Sequence, residues 1–333
     1  MLEIKGKYTT AKIMIDNVEG QCIDQIYKMV NNMVFTNPIS IMPDTHAGKG
    51  SVIGFTMELG EKIIPNVVGV DIGCGMLSTN IGENTYNKRQ LNEIDRNIRK
   101  VIPMGNSIHQ RSSIPSRKFE REFPWDKVNE ISRTFTIKYN KKFNTKYTPV
   151  VFDYDWFLRK CDEIGMRQNA EMGIGTLGGG NHFIEIGVSE NTGDLWVTVH
   201  SGSRNFGKMI CDYHQKIAKD ILIDKRENIL RKRIEEIKNN FNGKDVEIEI
   251  KKAKRDLGID FDINMNGLEY LEGQEAMDYF YDMIFAQTYA EFNRIEMINR
   301  ISDVLGVEIK ESIHSVHNYI DFNDLIIRKG AIT

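Results

Sequence analysis

Residues 41–76 read IMPDTHAGKGSVIGFTMELGEKIIPNVVGVDIGCGM, and how this stretch folds decides the rest. It carries Asp44, His46, Asp71 and Cys74 among seven glycines. Two short apolar runs, 51–57 and 63–70, are expected as buried strands. The second leads directly into Asp71-Ile72-Gly73-Cys74-Gly75. Glycine in such turns lets the backbone approach a ligand closely and take positive φ. A carboxylate and a thiolate three residues apart on one tight turn can face one metal ion or one metal pair. Asp and Gly are also ordinary turn formers, and a lone cysteine is most often a small buried apolar residue.

The same combination of polar donor and small neighbours recurs three times. Residues 173–186 read GIGTLGGGNHFIEI, and glycines this dense suit a backbone that must approach phosphate or another chain. His182 then opens a strand. Residues 195–200, LWVTVH, form a further buried strand ending in His200-Ser201-Gly202-Ser203-Arg204. Residues 307–319 are strand-like and carry His314, His317 and Asn318. Asp71, Cys74, His182, His200 and His317 are therefore all expected in or at the end of buried strands. A single histidine in such a position is usually structural; three, with an Asp/Cys turn, suit Mn²⁺, Zn²⁺ or Fe²⁺. Their wide separation argues against a zinc-finger clip. A thiolate bridging two divalent ions would make a two-metal site, a common device in phosphoryl transfer.

The remaining chain reads as scaffold. The 333 residues suffice for one large or two ordinary domains. The 155–172 segment is expected as one helix, as are 21–33 and 87–102. Residues 206–240, continued near 246–257, read as a charged helical arm, with alternating charges facing solvent. Residues 273–305 form a helix with Tyr281, Phe285, Tyr289, Phe292 and Ile295 along a core stripe. The expected fold is α+β: a single mixed domain over 1–333, with a β-rich core carrying the ligands, helices outside and a protruding helical element at 206–257. No apolar run is long enough to span a bilayer, and the N-terminus lacks a signal-peptide layout. Four cysteines without CxxC pairing point to a reducing cytoplasm. Net charge is −3, yet residues 88–146 hold fifteen Lys/Arg against six Asp/Glu. Phe119, Phe123, Trp125, Phe135 and Tyr139 interleave there. The stretch suits a polyanion with stackable bases, or a solvated surface over buried aromatics.

In this order, MPDTHAGKGSVIG, VVGVDIGCGM, GTLGGGNHFIEI, HSGSRNFG, YAEFNR, HNYI and RKGA resemble the RtcB family of RNA-splicing ligases. The DIGCGM form resembles a shorter, bacterial branch. The resemblance implies a two-manganese centre held by Asp71, Cys74, His182, His200 and His317, with Cys74 bridging. It places Asn181 and Asn318 in a nucleotide pocket and Arg204 at a phosphate or RNA end. Cys74, His317 and Arg204 would then take part directly in the chemistry. It implies GTP as cofactor, broken tRNA or other RNA ends as partners, and an archease-like activator. In the family a histidine is guanylylated by GTP, the guanylate passes to an RNA 3′-phosphate, and a 5′-hydroxyl displaces it. That histidine lies in an HGAGR-like motif after RKGA, and none occurs in this sequence, which ends at RKGAIT. The expectation is a catalytic domain lacking its C-terminal part. The alternatives are a metal-dependent RNA end-processing phosphohydrolase without guanylylation, and a degenerate RNA-binding paralogue.

Overall fold

The computed structural model describes residues 1–111, 118–166, 169–262 and 267–332, the side chains of 258–262 excepted. Residues 112–117 of the basic stretch, Arg167 and Gln168 of the 155–172 segment, and Thr333 lie outside the described residues. The chain is an α+β protein, as its mixed patterning predicts. Its contacts gather into two compact units, each built from two chain segments: Met1–Gly69 with Cys211–Tyr279, and Val70–Ile210 with Phe280–Thr333.

In the first unit β1 (Leu2–Lys5) and β2 (Thr10–Ile13) form an antiparallel hairpin. β2 pairs in parallel with β3 (Ile39–Ile41), which pairs antiparallel with β4 (Phe55–Glu58). Helix α1 (Gly20–Val30) buries Cys22, Ile26, Met29 and Val30, the helical spacing visible in the sequence. The strand expected over 51–57 shortens to β4, because Gly54 at φ +85° turns the chain just before Phe55.

The strand expected over 63–70 is corrected. There only β5 (Lys62–Ile63) pairs as a strand, with β9 (Leu271–Glu272), and a helical turn α2 (Pro65–Val68) follows. Pro65 sits at the first helical position, where its fixed φ fits and its missing N–H loses nothing. All four residues of α2 are buried, so their apolar run has no periodicity to separate strand from helix. The Asp71 turn thus follows a helix and not a strand. The expected charged helices are α8 (Arg204–Asn240) and α9 (Lys244–Asp262), with buried Ile237 and Ala253 between them.

The second unit is organised on an antiparallel sheet of order β10-β6-β8-β7: β6 (Gly75–Gly82), β7 (Phe183–Val188), β8 (Leu195–Ser201) and β10 (Glu311–Val316). Alternation puts Leu77, Ile81, Leu195, Val197 and Val199 on one face. They pack with Ile98 and Ile102, from the region of α3 (Lys88–Val101), and with Met297, Ile298 and Ile301 of α10 (Gly273–Leu305). Asn87 caps α3, accepting the N–H groups of Arg89 and Gln90. A hairpin of β11 (Asn318–Asp321) and β12 (Ile326–Lys329) closes the chain. The strand expected over 307–319 is therefore two strands, broken at His317.

Three further helices precede β7: α4 (Lys118–Glu122), α5 (Trp125–Phe143) and α6 (Tyr154–Glu163), with a short α7 (Asn169–Met172). The single helix expected over 155–172 is interrupted, since Gly165 at φ +74° ends α6. The α10 stripe is core: Phe285 meets the rings of Phe123, Trp125, Phe152, Trp156, Phe157 and Phe206. Phe119, Phe123, Phe135 and Tyr139 are buried in this unit as well and Trp125 is half-buried against Phe123 and Phe285, so four of the five aromatics of the basic stretch are not stacking platforms. Helical spacing turns Val128, Phe135 and Tyr139 inward and the cations outward.

Candidate metal centre

The β10-β6-β8-β7 register gathers residues that are far apart in sequence. Met76, His200 and Phe183 stand opposite one another across β6, β8 and β7. Cys74 precedes β6 and His182 precedes β7. His317 follows β10, where its N–H donates to the Cys74 carbonyl at 3.0 Å. The five expected ligands meet at this end of the sheet.

Cys74 Sγ lies 3.3 Å from His200 Nε2 and 3.6 Å from His182 Nε2. His200 Nε2 is 3.3 Å from His317 Nε2, and His182 Nε2 is 3.0 Å from Asp71 Oδ2. The donor atoms form two triads sharing the thiol: Cys74, His200 and His317, and Asp71, Cys74 and His182. Within each triad all donors lie within 4.8 Å of one another. With metal–donor bonds of about 2.0–2.3 Å, neighbouring donors are expected about 3–3.6 Å apart.

The hydrogen bonds behind the ligands decide whether a cation fits. His182 Nδ1 donates to the Leu177 carbonyl at 3.0 Å, and His200 Nδ1 donates to the Asn181 carbonyl at 3.0 Å. A carbonyl only accepts, so each neutral ring turns the bare lone pair of Nε2 inward. His182 Nε2 then faces a carboxylate oxygen, and His200 Nε2 faces another imidazole nitrogen. The His182–Asp71 pair aims an acceptor at an acceptor, and this requires a proton or a metal cation between them. Backbone-anchored imidazoles of this kind are the usual support of metal-ligating histidines.

The electrostatics agree. Burial and the neighbouring His200 push His317 down to about 4, and burial lowers His200, so both rings are neutral near pH 7. Burial raises the Asp71 carboxyl, but the neighbouring His182, Cys74 and Arg204 outweigh it and hold the group below its ordinary value. Burial and the Asp71 carboxylate push the Cys74 thiol far up, so it stays protonated until a cation displaces the proton. Neutral imidazoles, a carboxylate and a thiol that ionises on binding suit a divalent metal.

Glycine shapes the pocket at two places. A Cβ on Gly202 would sit 2.1 Å from Asp71 Oδ1. A Cβ on Gly178, at φ +93°, would sit 1.8 Å from the Arg204 guanidinium. Arg204, itself at φ +57°, donates from Nε to Thr176 Oγ1 at 3.0 Å and from Nη2 to the Gly105 carbonyl at 3.2 Å. The 173–186 glycine cluster is thus wrapped on an arginine whose charge reaches Asp71. Arg204 stands beside the cluster and is not one of its donors.

The two asparagines stand differently. Asn181 is exposed and enters the cluster only through its carbonyl on His200. Asn318 adjoins His317; its Oδ1 accepts the Gly330 N–H and its carbonyl the Gly73 N–H at 2.7 Å. Asp44 and His46 belong to the first unit, where His46 Nδ1 donates to the Asp44 carbonyl. His314 lies within β10 opposite Leu77 and joins neither triad.

Two residues of the site, Asn293 and Arg294, were quoted in the sequence only within YAEFNR and given no role. Arg294 of α10, 1% exposed, donates from Nη1 to the carbonyls of Gly73 and Ser201 at 2.7 and 2.8 Å. Asn293, fully buried, accepts the N–H groups of Gly175 and Thr176 and donates to Ser201 Oγ and the Gly202 carbonyl. Together they tie the Cys74 turn, the end of β8 and the glycine cluster to one helix. The available signal was their place at the end of the YAEFNR motif.

The family model for the tRNA-splicing ligase RtcB matches residues 25–333. The RNA-splicing ligase RtcB of Escherichia coli K12 is 27% identical over 334 aligned positions, covering 95% of this chain and 69% of the relative. The tRNA-splicing ligases RtcB of Pyrobaculum aerophilum and Aeropyrum pernix are 30% and 28% identical, each covering 52% of this chain and 39% of the relative. The chain belongs to the RtcB family of RNA ligases.

Proposed function

We propose that this protein is a GTP- and Mn²⁺-dependent ligase that joins RNA 3′-phosphate or 2′,3′-cyclic phosphate ends to 5′-hydroxyl ends through a guanylylated enzyme, in tRNA splicing or RNA repair. The observation that carries the reading is the pair of donor triads sharing Cys74. Asp71, Cys74 and His182 would hold one ion, and Cys74, His200 and His317 the other. Two bound cations would neutralise phosphate charge and lower the pKa of a coordinated water or hydroxyl.

The chain's own residues supply the positioning on which phosphoryl transfer chiefly depends. Leu177 and Asn181 hold the imidazoles in the ligating tautomer through their carbonyls. Arg204, beside the exposed Gly179-Gly180-Asn181 turn, offers a cation for a phosphate or RNA end. Asn181 and Asn318 flank the histidines where a guanylate would lie. Phe183, 37% exposed and 5.3 Å from the His200 ring, gives a base an aromatic face. The guanylate acceptor is not assigned to any of the seven histidines. His182, His200 and His317 are committed to the cluster. Four free, buried cysteines support a reducing cytoplasmic setting. Among the described residues no helix is long and apolar enough to cross a membrane.

The test incubates the protein with Mn²⁺, α-labelled GTP and RNA bearing 3′-phosphate and 5′-hydroxyl ends, with and without an archease-like activator. Joined RNA and labelled protein, both lost in Cys74→Ala, are expected. Phosphate release or cyclic-phosphate opening without GTP, and no joined product, would replace the reading with an end-processing hydrolase.

A further inference from the structure

We propose that the outer face of the C-terminal half of α5, continued by Lys146, is a docking surface for the phosphate backbone of single-stranded RNA, separate from the metal centre. The proposal rests on the ligase reading for the identity of the polyanion, and on the following observations for its place.

Residues 131–152 contain Arg133, Lys138, Lys141, Lys142 and Lys146 and no Asp or Glu. The fold sorts this stretch by face. Phe135, Thr136 and Tyr139 are buried, whereas Arg133, Ile137, Lys138, Lys141 and Lys146 are exposed. Arg133, Ile137 and Lys141 recur every four residues and form one stripe. At a rise of about 1.5 Å per residue, Arg133 and Lys141 lie about 12 Å apart, a span of a few nucleotides. Dipole complementarity accounts for cations in the last helical turn only. Arg133 and Lys138 lie earlier, and Lys146 lies past the left-handed cap at Asn144.

The surface is also held rigid. Ser132 donates to the Val150 carbonyl, Asn129 exchanges hydrogen bonds with Phe152, and Asn140 does so with Tyr147. The segment after α5 is thereby laced along the helix. Lys138 donates to the carbonyl of Asn323, a neutral partner that leaves its charge uncompensated. In sequence the flanking carboxylates are Glu130, three residues before Arg133, and Asp153, just after the stretch. Ile137, 69% exposed amid these cations, adds an apolar contact for a ribose or base. Because Phe135 and Tyr139 face inward, the surface binds backbone charge and not stacked bases, so its grip is independent of sequence and sensitive to salt.

The experiment compares the protein with its R133Q/K141Q/K146Q variant, all three sites exposed. It measures the affinity for a 30-nucleotide single-stranded RNA across a salt series, and the joining of very short oligonucleotide ends. Removing three contacts should lower the slope of log affinity against log salt by about 2, at about 0.7 per charge. Affinity should fall about tenfold or more at low salt, with short-end joining unchanged. An unchanged slope and affinity for the long RNA would overturn the proposal, as would an equal loss on short ends, which would place these residues at the chemistry. Failure of the ligase reading would instead appear as no joining by the parent protein, while the binding comparison still reports on α5. An R133K/K141R/K146R variant that restores the slope confirms charge over fold; failure to restore it counts against the surface.

Discussion

At the residue scale, the site depends on how each lone pair is aimed. His182 and His200 present Nε2 inward because their Nδ1 atoms are held by carbonyls of the glycine cluster and of the residue that follows it. Gly202 leaves room for the Asp71 carboxylate. Gly202→Ala should therefore weaken Mn²⁺ binding about 10–100-fold, with the fold retained, as disturbance of a ligand's support generally does. Metal titration followed by calorimetry, beside far-UV circular dichroism, checks this. The pH dependence follows from His317, whose value near 4 lies below that of an unfolded histidine. Between about 4 and 6.5 the unfolded chain binds more protons, so stability rises with pH there and is lost as pH falls through that window. In metal-free protein the effect is at most about 3 kcal/mol, and His317→Asn should flatten it in urea melts taken from pH 7 to pH 4.5. The five cluster residues were legible because Asp, Cys and His beside glycine or serine are rare and chemically pointed. What was not legible is which nitrogen each histidine uses, since that is set by carbonyls of other segments.

At the element scale, α10 does two jobs. Its aromatic stripe fills the core of the second unit, and its Asn293-Arg294 pair fastens the ligand-bearing turns. Arg294→Met would leave two buried carbonyls without a donor and should cost about 2–4 kcal/mol in urea unfolding. Arg294→Lys should recover part of the loss, because both bonds leave one nitrogen, Nη1, and an ammonium offers two donors from a shorter stem. Loss of bound metal should accompany both. Long periodic helices such as α3, α8 and α10 were readable from their spacing and stops. The 63–70 run was not: helix and strand bury an apolar run equally well, and Pro65 at the first helical position tipped the balance. The break at Gly165 and the break at His317 were hidden for a related reason. Each is imposed by the turn geometry and by pairing to distant strands, which propensity does not see.

At the scale of the whole molecule, charge and core separate cleanly along α5. The interleaving of Lys/Arg with Phe and Tyr looked like a stacking surface in one dimension. In three, the rings became core and the cations a rim. Asp71, Cys74, His182, His200 and His317, spread over most of the second unit's sequence, meet at one end of the β10-β6-β8-β7 sheet. The central claim is that these residues bind two cations bridged by one sulfur. The most direct test is a crystal of the protein soaked in Mn²⁺ and measured for anomalous scattering at the manganese edge. The account predicts two peaks sharing Cys74 Sγ, one bounded by Asp71 and His182 and the other by His200 and His317. No peak in that cluster, or a single ion that leaves Cys74 uncoordinated, would contradict it.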